Sequence, residues 1–597
     1  MIKSVSLFCH FWVIMKLPSS ANVPSHHPIA SPWLFFHTLS IFGLILGFVC
    51  FYISMTPMLL PRSWLIQAVC CAVSGSVGYA VGKFIHHVIN LICLALNRPK
   101  ITVLSKYRLP ITFIGLLSLV AMTFYQWQIM QTMRDLMDMP KEPLYLTALG
   151  VVIGVLGWLG IIVLGRWIIV LIEWLVNLIA PKLALPIRVI TWVLVTALVG
   201  SVLIGLTRHY VWRPALQFIS QKALELDLTE PESLNAPTTP NRSGVDGVST
   251  QPWQALGHYG QRFVSLGPSA ADISSVTGKP ALEPIRVFVG LDHEESVTSD
   301  ADALVALALK EMDRTGAWQR SHLVIHGATG RGWVEEYSSL AAEYLTDGDI
   351  ASVSIQYSYL PSQISFIVDR QASSEANQRL YQAIQNRLSK LDPKHRPKLY
   401  LAGESLGAFA TQSNFQDYNE LISSIDGAVW VGTPRLSELW SNLVKMRADS
   451  TPENLPIIDG GRHVRFMDYP EMLSAQGHPQ GHLYENWQPP RIVFVQYASD
   501  PIVWWSPDML YRRPDWMSEP AGRDLARMPL WLPILSLWEL SLDMPASSNT
   551  PPGHGHIYRH DAIHAWQAVL DAQSPTYETL AQVIEDRVQE GVTERSD

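Results

Sequence analysis

The chain has 597 residues, a formal net charge of −8 at pH 7, 16% charged residues and a mean hydropathy of +0.14. Soluble proteins average about 25% charged residues, so part of this chain must be strongly apolar. These values exclude an intrinsically disordered chain, a collagen, a coiled coil and a basic nucleic-acid-binding protein.

Charge and cysteine both divide the chain into two parts. Residues 1–210 carry 14 Lys and Arg against 4 Asp and Glu, whereas residues 211–597 carry 30 against 48. All five cysteines lie before residue 94. The second part therefore has neither a disulfide framework nor a cysteine-based zinc site or nucleophile. A slightly basic, apolar first third precedes an acidic remainder of soluble composition.

Five apolar runs in the first part are long enough to cross a bilayer, which takes about 20 apolar residues. They lie at 33–55, 64–96, 109–130, 144–164 and 187–206. A further apolar stretch at 167–178 either extends the fourth helix or lies in the membrane interface. We predict an α-helical transmembrane domain of about five spans over residues 33–226, with four or six spans as alternatives.

Residues 1–32 resemble a signal peptide, but no convincing cleavage site follows, so we predict an N-terminal tail. Cations cluster in three segments, before the first span, between the second and third, and between the fourth and fifth: Lys3 and Lys16; Arg98, Lys100, Lys106 and Arg108; Lys182 and Arg188. With five spans, the positive-inside rule places the second part of the chain outside the cytoplasm. One miscounted helix would reverse that orientation. The spans lack the repeated ionisable residues of a transporter, which favours an anchor.

Residues 227–285 are rich in Pro, Ser, Thr and Gly and are predicted to form a mobile linker, with a short ordered turn at 253–263. From residue 286 to 597, short β-branched runs alternate with amphipathic segments. Strands are predicted at 287–291, 322–326, 351–357, 398–402, 426–432 and 491–498, and helices at 301–314, 334–344, 374–391 and from about 561. This alternation predicts a doubly wound, mostly parallel sheet.

The strongest chemical signal is Gly403-Glu404-Ser405-Leu406-Gly407 between a predicted strand and a predicted helix. G-x-S-x-G in that context is typical of the nucleophile elbow of α/β-hydrolases, where the serine occupies a strained turn and the glycines keep it clear. Ser405 is therefore our candidate nucleophile. The alternative is an ordinary glycine-rich turn.

A serine nucleophile requires an acid and a base, which follow it in the order Asp or Glu, then His, in this fold. Asp500 comes directly after the last predicted strand and is the candidate acid, unless it only begins a turn before Pro501. His556 lies in a glycine-punctuated loop and is the candidate base, with His554 as the main competitor.

An oxyanion hole needs two backbone amides near the nucleophile. We expect one from Leu406, the residue after the serine, and the other from Ala328 or Thr329. Those two residues lie in the glycine-rich loop 326–333, which could also be a plain turn between a strand and a helix.

Two competing features occur near the C-terminus. His560 and His564 are four residues apart, as in a zinc-binding H-E-x-x-H motif, but Asp replaces Glu and no third carboxylate ligand is apparent. We therefore predict neither a metal nor a cofactor. A tryptophan-rich insertion at about 503–545 separates Asp500 from His556. It would form an acyl-binding or membrane-facing lid, or pack as an ordinary subdomain.

Several blocks in this chain resemble the membrane-anchored family called alpha/beta-hydrolase 9. The similar blocks are 54–62 followed by Gly78-Tyr79, 329–333, 356–362, 403–407 and 554–558. The resemblance implies a multi-span N-terminal domain, a C-terminal α/β-hydrolase domain, and a serine-dependent hydrolase or acyltransferase at a membrane. The roles of Asp500 and His556 depend on the chain order of the fold rather than on the family.

We therefore expect an integral membrane protein of the bacterial inner-membrane type, whose partners are the lipid bilayer and an acyl-ester or lipid substrate. The rival hypothesis is a transport or envelope-assembly protein whose hydrolase-like domain binds acyl chains without catalysis. Under that rival, Ser405 is dispensable whereas residues in the spans are not.

Overall fold

The computed structural model describes residues 39–96, 107–181, 184–229, 234–291, 300–368, 370–572 and 574–590. The chain divides into two compact units, Met1–Pro214 and Ala215–Asp597. The predicted tail 1–32, the start of the first predicted span and the cations Arg98, Lys100, Lys106 and Lys182 lie outside the described residues.

The first unit is helical. Its helices are α1 (Ile41–Ser54), α2 (Trp64–Ala95), α3 (Arg108–Leu136), α4 (Leu144–Ile179) and α5 (Leu185–Leu206). A π-helical turn, Thr207–Trp212, and helix α6 (Arg213–Asp227) follow. Among the described residues, four helices are long and apolar enough to cross a membrane: Trp64–Ala95, Leu109–Leu136, Leu144–Ile179 and Pro186–Asp227.

The structure bears on two details of the span prediction. The described part of the first predicted span is α1, an apolar helix of 14 residues, and the other four predicted spans correspond to the four long apolar helices. The stretch 167–178 continues α4 instead of lying in the interface, because that helix runs without a break to Ile179.

Small residues bring α1 and α2 close together. A Cβ atom added to Gly82 would lie 2.2 Å from the Phe42 carbonyl oxygen, and one added to Gly78 would lie 2.5 Å from that of Leu46. Glycines four residues apart on one helix face permit this close backbone approach in apolar surroundings, where packing drives helix association. The sequence carries such a pair on each helix, since Gly43 and Gly47 are their counterparts on α1.

The second unit contains a parallel sheet, as predicted. Within the described residues its strands are β1 (Ile285–Val289), β2 (His322–Gly327), β3 (Ile350–Ile355), β4 (Lys398–Glu404), β5 (Gly427–Val431), β6 (Val464–Met467) and β7 (Arg491–Val495). They are ordered β1-β3-β2-β4-β5-β7-β6, and every neighbouring pair is parallel. The chain passes from β2 to β3 on one side and from β4 to β5 on the other, so the direction of the connections reverses between β2 and β4. Sheets of this kind bind ligands beyond the carboxyl ends of the strands at such a reversal.

Helices cover both faces of this sheet. They are α7 (Gly257–Ser265), α8 (Ala270–Thr277), α9 (Ala301–Thr315), α10 (Glu336–Leu345), α11 (Ser362–Val368), α12 (Arg370–Leu388), α13 (Leu406–Gln412), α14 (Tyr418–Ser424), α15 (Glu438–Lys445), α16 (Pro501–Trp504), α17 (Leu535–Ser547), α18 (His560–Leu570) and α19 (Tyr577–Glu590). The strands are almost completely buried, as expected for parallel strands covered on both faces.

The segment predicted as a mobile linker is different in the structure. Its described parts are residues 227–229 and 234–285, and the second of these contains α7 and α8 and packs against β1. Trp253, Leu256 and Phe263 are buried in one cluster with Phe288 of β1. The Ser243 amide donates to the Arg286 carbonyl oxygen at 3.0 Å, which ties this segment to the sheet edge. The frequent Pro, Ser and Gly residues are typical of a linker, whereas the few apolar residues that hold this segment against the sheet are widely spaced and form no regular pattern.

A buried ion pair joins β1 to α10. Arg286 donates to both carboxylate oxygens of Glu343, at 2.6 and 2.8 Å, and also to the Phe263 carbonyl oxygen. Both side chains are at most 1% exposed. Removing one partner of such a pair leaves a charge buried without compensation.

We expect Arg286→Met to lower the free energy of unfolding by about 3–5 kcal/mol, because it leaves the Glu343 carboxylate unpaired. Urea unfolding of the detergent-purified chain, followed by tryptophan fluorescence, measures this loss. The control is Arg286→Met combined with Glu343→Met, which removes both charges and should recover most of the stability. A double variant as unstable as the single one would contradict this account.

Candidate active site

Ser405 occupies a strained turn between β4 and α13. Its φ is 52° and its ψ is −116°, in a region that residues other than glycine rarely adopt. The Ser405 amide donates to the Val431 carbonyl oxygen at 2.9 Å, which fixes the turn to the end of β5. Its side chain is partly exposed, as a nucleophile must be. This is the geometry that the G-x-S-x-G pattern predicts.

The two glycines of the motif permit this turn by direct backbone packing. A Cβ atom on Gly407 would lie 2.0 Å from the Gly327 carbonyl oxygen of β2. A Cβ atom on Gly403 would lie 2.5 Å from the Gly407 carbonyl carbon. Helix α13 therefore rests on β2 and β4 without intervening side chains.

Asp500 and His556 form a close pair. His556 Nδ1 lies 2.6 Å from Asp500 Oδ2, and the Tyr558 hydroxyl donates to the same oxygen at 2.7 Å. The other carboxylate oxygen accepts from the Ile502 amide at 2.9 Å. Asp500 is completely buried, and its hydrogen bonds satisfy both carboxylate oxygens. The predicted acid and base are therefore adjacent, with Nδ1 of the imidazole facing the acid.

The competing base lies elsewhere. His554 Nδ1 lies 3.9 Å from Asp524 Oδ2. The same Asp524 oxygen accepts a hydrogen bond from the Ser499 hydroxyl. The two histidines therefore face different carboxylates.

The structure distinguishes the two candidates for the second oxyanion donor, Ala328 and Thr329, in the loop after β2. The Thr329 amide donates to the Trp333 carbonyl oxygen at 2.8 Å, so the turn itself uses this group. Ala328 directly follows β2 and is 1% exposed. Leu406 is the first residue of α13, where helix geometry leaves backbone amides without intrahelical acceptors. Leu406 and Ala328 remain the candidate donors.

Sequence reasoning missed two buried acidic residues, Glu404 next to the nucleophile and Glu335, whose charge interacts with that of Glu404. Glu404, the last residue of β4, places Oε1 3.9 Å from His556 Nε2. The pKa of Glu404 is raised to about 7, chiefly by burial; the positive charge of His556 opposes this rise, and the Asp500 carboxylate adds to it. Glu335 accepts from the Tyr337 and Ser338 amides at the start of α10. Burial and the nearby Glu404 carboxylate raise the pKa of Glu335 well above its usual range.

The Asp500 and Glu404 carboxylates influence the imidazole of His556. Burial lowers the pKa of His556, but the Asp500 and Glu404 carboxylates favour the imidazolium, and the net direction is upward. Glu404 occupies a variable position of the G-x-S-x-G motif, so the motif does not mark it as functional. No sequence pattern marks Glu335. Tyr558 lies in the block 554–558 that resembles the family, but that resemblance does not mark it as a partner of Asp500.

The tryptophan-rich insertion contains both packed and exposed apolar residues. Trp504 and Trp516 are at most 4% exposed and their ring centroids lie 5.5 Å apart. Outward-facing apolar residues are Leu510, Tyr511, Leu530 and Ile534. Ile534 has a φ of 68°, which is unusual for a β-branched residue, and its amide donates to the Leu510 carbonyl oxygen at 3.1 Å.

The alternative zinc motif has other partners. His560 Nε2 lies 3.2 Å from Glu585, and the His564 ring stacks on Tyr577 at 3.7 Å between centroids. In the part of the chain that the structure describes, no group of three or more His, Cys, Asp or Glu could hold a metal ion.

Comparison with known families matches both parts of the chain. A model described as "Alpha/beta-hydrolase family" matches residues 285–583, and one described as "Alpha/beta-hydrolase family N-terminus" matches residues 55–268. Both belong to the alpha/beta-hydrolase 9 type suggested by the sequence blocks. No curated protein and no solved structure matches the chain.

We expect Gly407→Ala to destabilise the chain by about 3 kcal/mol or more, because the added methyl group collides with rigid backbone at Gly327. The control is Gly481→Ala, because Gly481 has a positive φ, 75°, but a Cβ atom there would meet no other atom within 4 Å. That variant should lose only about 1–2 kcal/mol from backbone strain. Urea unfolding of both variants measures the difference, and equal losses would contradict the packing argument.

Proposed function

The chain belongs to the alpha/beta-hydrolase family, and on that basis we propose that it is a membrane-anchored serine hydrolase acting on acyl or lipid esters. The observation that carries the proposal is Ser405 at φ 52° on a strand-to-helix turn. The pairing of Asp500 with His556 Nδ1 supports it. A triad is recognised by geometry and roles, and these residues also follow the expected chain order.

In the proposed first step, Ser405 Oγ attacks the ester carbonyl carbon while its proton moves to His556 Nε2. An Oγ–C bond forms and the carbonyl π electrons move to oxygen. The Leu406 and Ala328 amides are the proposed donors to this oxyanion. Asp500 keeps Nδ1 protonated and stabilises the imidazolium.

The intermediate then collapses with cleavage of the ester C–O bond, and the imidazolium gives its proton to the departing alkoxide. The product at this stage is an acyl-enzyme on Ser405. A water molecule, or another hydroxyl group in an acyltransferase, repeats the attack with His556 as base and releases the acyl group. The proton balance closes when Ser405 is protonated again.

Two features favour a lipid or acyl-ester substrate. The described residues include four helices long and apolar enough to span a bilayer, which would keep the enzyme at a membrane. The insertion exposes Leu510, Tyr511 and Leu530, and Tyr511 is 76% exposed. An exposed apolar surface of this kind suits contact with acyl chains. Taking α1 as the described part of the first of five spans, we further propose a bacterial inner-membrane location with the hydrolase unit outside the cytoplasm, from the loop cations.

Labelling of the detergent-purified chain with a fluorophosphonate probe tests the proposal. The wild type should be labelled and Ser405→Ala should not, because the probe phosphorus is attacked only by an activated serine. His556→Ala and Asp500→Asn should lower the labelling rate by about 10³-fold or more, since they remove the base or its orientation.

His554→Ala is the matched histidine variant and should keep most of the labelling rate, because its imidazole faces Asp524. Loss of labelling in His554→Ala with retention in His556→Ala would transfer the base role to His554. A folded wild type that no probe labels would instead favour the non-catalytic acyl-binding hypothesis.

A further inference from the structure

The imidazole of His556 lies between two carboxylates. Asp500 Oδ2 is 2.6 Å from Nδ1, and Glu404 Oε1 is 3.9 Å from Nε2. All three residues are at most 8% exposed. Glu404 also immediately precedes Ser405, so the turn that presents the nucleophile fixes the position of the second carboxylate.

We propose that Glu404 is a second positioning carboxylate for His556, which faces Nε2 and stabilises the imidazolium formed when Ser405 loses its proton. This inference rests on the proposed role of Ser405 as nucleophile. Because Nε2 is the atom that takes this proton, a negative charge close to it acts on the charged state of the ring and not on the neutral resting state. Such an interaction is stronger in the transition state than in the ground state.

The groups facing this pair come from several elements. His556 is faced by Asp500 after β7 and Glu404 at the end of β4, and its ring contacts the Tyr558 ring at 5.5 Å between centroids. Glu404 is also influenced by Arg559, which favours its ionised form, and by Glu336, which opposes it. Glu335 belongs to the same group, because the Glu404 charge raises its pKa.

The signs of these effects fix the expected pH dependence. The pKa of Glu404 is raised to about 7, that of His556 is also raised, and the two groups lie close enough to titrate as a pair. When the proton that the pair takes up at lower pH resides on His556, the ring can no longer accept one from Ser405. Removing the Glu404 charge destabilises the imidazolium, so the ring stays neutral, and competent as a base, to lower pH.

The experiment measures the rate constant of fluorophosphonate labelling for the full detergent-purified chain between about pH 4.5 and 9. This interval extends beyond both ends of the range of about pH 5 to 8 in which a histidine usually titrates. The variants are Glu404→Gln, Glu404→Asp and the control Glu311→Gln. Glu311 is a buried glutamate on α9 that pairs with Arg314 and does not face the site. Labelling requires no knowledge of the substrate, and the P–F bond breaks as the Ser405 Oγ–P bond forms.

We expect Glu404→Gln to move the midpoint of the acid limb down by about one pH unit and to lower the plateau rate by about tenfold. Glu404→Asp keeps the charge farther from Nε2 and should give an intermediate midpoint. Glu311→Gln should leave the midpoint of the wild type unchanged.

A uniform loss of rate in Glu404→Gln, with the midpoint unchanged, would overturn the inference, because that is the signature of a merely structural residue. If thermal unfolding shows that Glu404→Gln does not fold, the midpoint of Glu404→Asp decides: a downward shift supports the inference, and an unchanged midpoint overturns it. A folded wild type that is not labelled at any pH overturns the proposed function itself, which separates the two failures.

Discussion

The candidate site depends on one contact between backbones. Helix α13 lies directly on β2 and β4, with Gly407 against the carbonyl group of Gly327 and Gly403 beneath the first turn of the helix. A side chain at either glycine of the motif would collide with backbone atoms, so the helix could not approach the strands this closely. The chain then has only one residue, Ser405, in which to change from strand to helix, and it does so with a positive φ. The strain is maintained because the surrounding sheet is rigid.

The same contact arranges the rest of the site. Since β4 lies in the middle of the sheet, its carboxyl end is flanked by the loop after β2 on one side and by β5 and β7 on the other. The loop contributes the Ala328 region, and the chain beyond β7 contributes Asp500. Glu404 is placed by the end of β4 itself, so its carboxylate has the same support as the nucleophile.

Much of this could be predicted from sequence, because the strands that carry the site are buried on both faces and contain short, uninterrupted apolar runs. β6 was missed because Arg465 interrupts its four residues. The structure accommodates that charge by three backbone acceptors, the carbonyl oxygens of Gly461, Leu473 and Glu485. Those acceptors come from other parts of the chain, so no local pattern reveals them. Glu404 was missed for a similar reason, because its effect depends on a histidine far along the chain.

The spacing of Asp500 and His556 has a consequence for biogenesis. These two residues meet across a separation of 56 positions, and the intervening chain must fold back before Nδ1 can reach its carboxylate. The ribosome completes β4 and the serine turn well before it completes this closure, and closing a long loop carries an entropic cost. A nascent chain whose helices are already entering a bilayer would therefore hold a serine that is shaped but not yet activated. Under the proposed function, the enzyme cannot attack the lipids of the membrane that receives it until its last strand and insertion have folded.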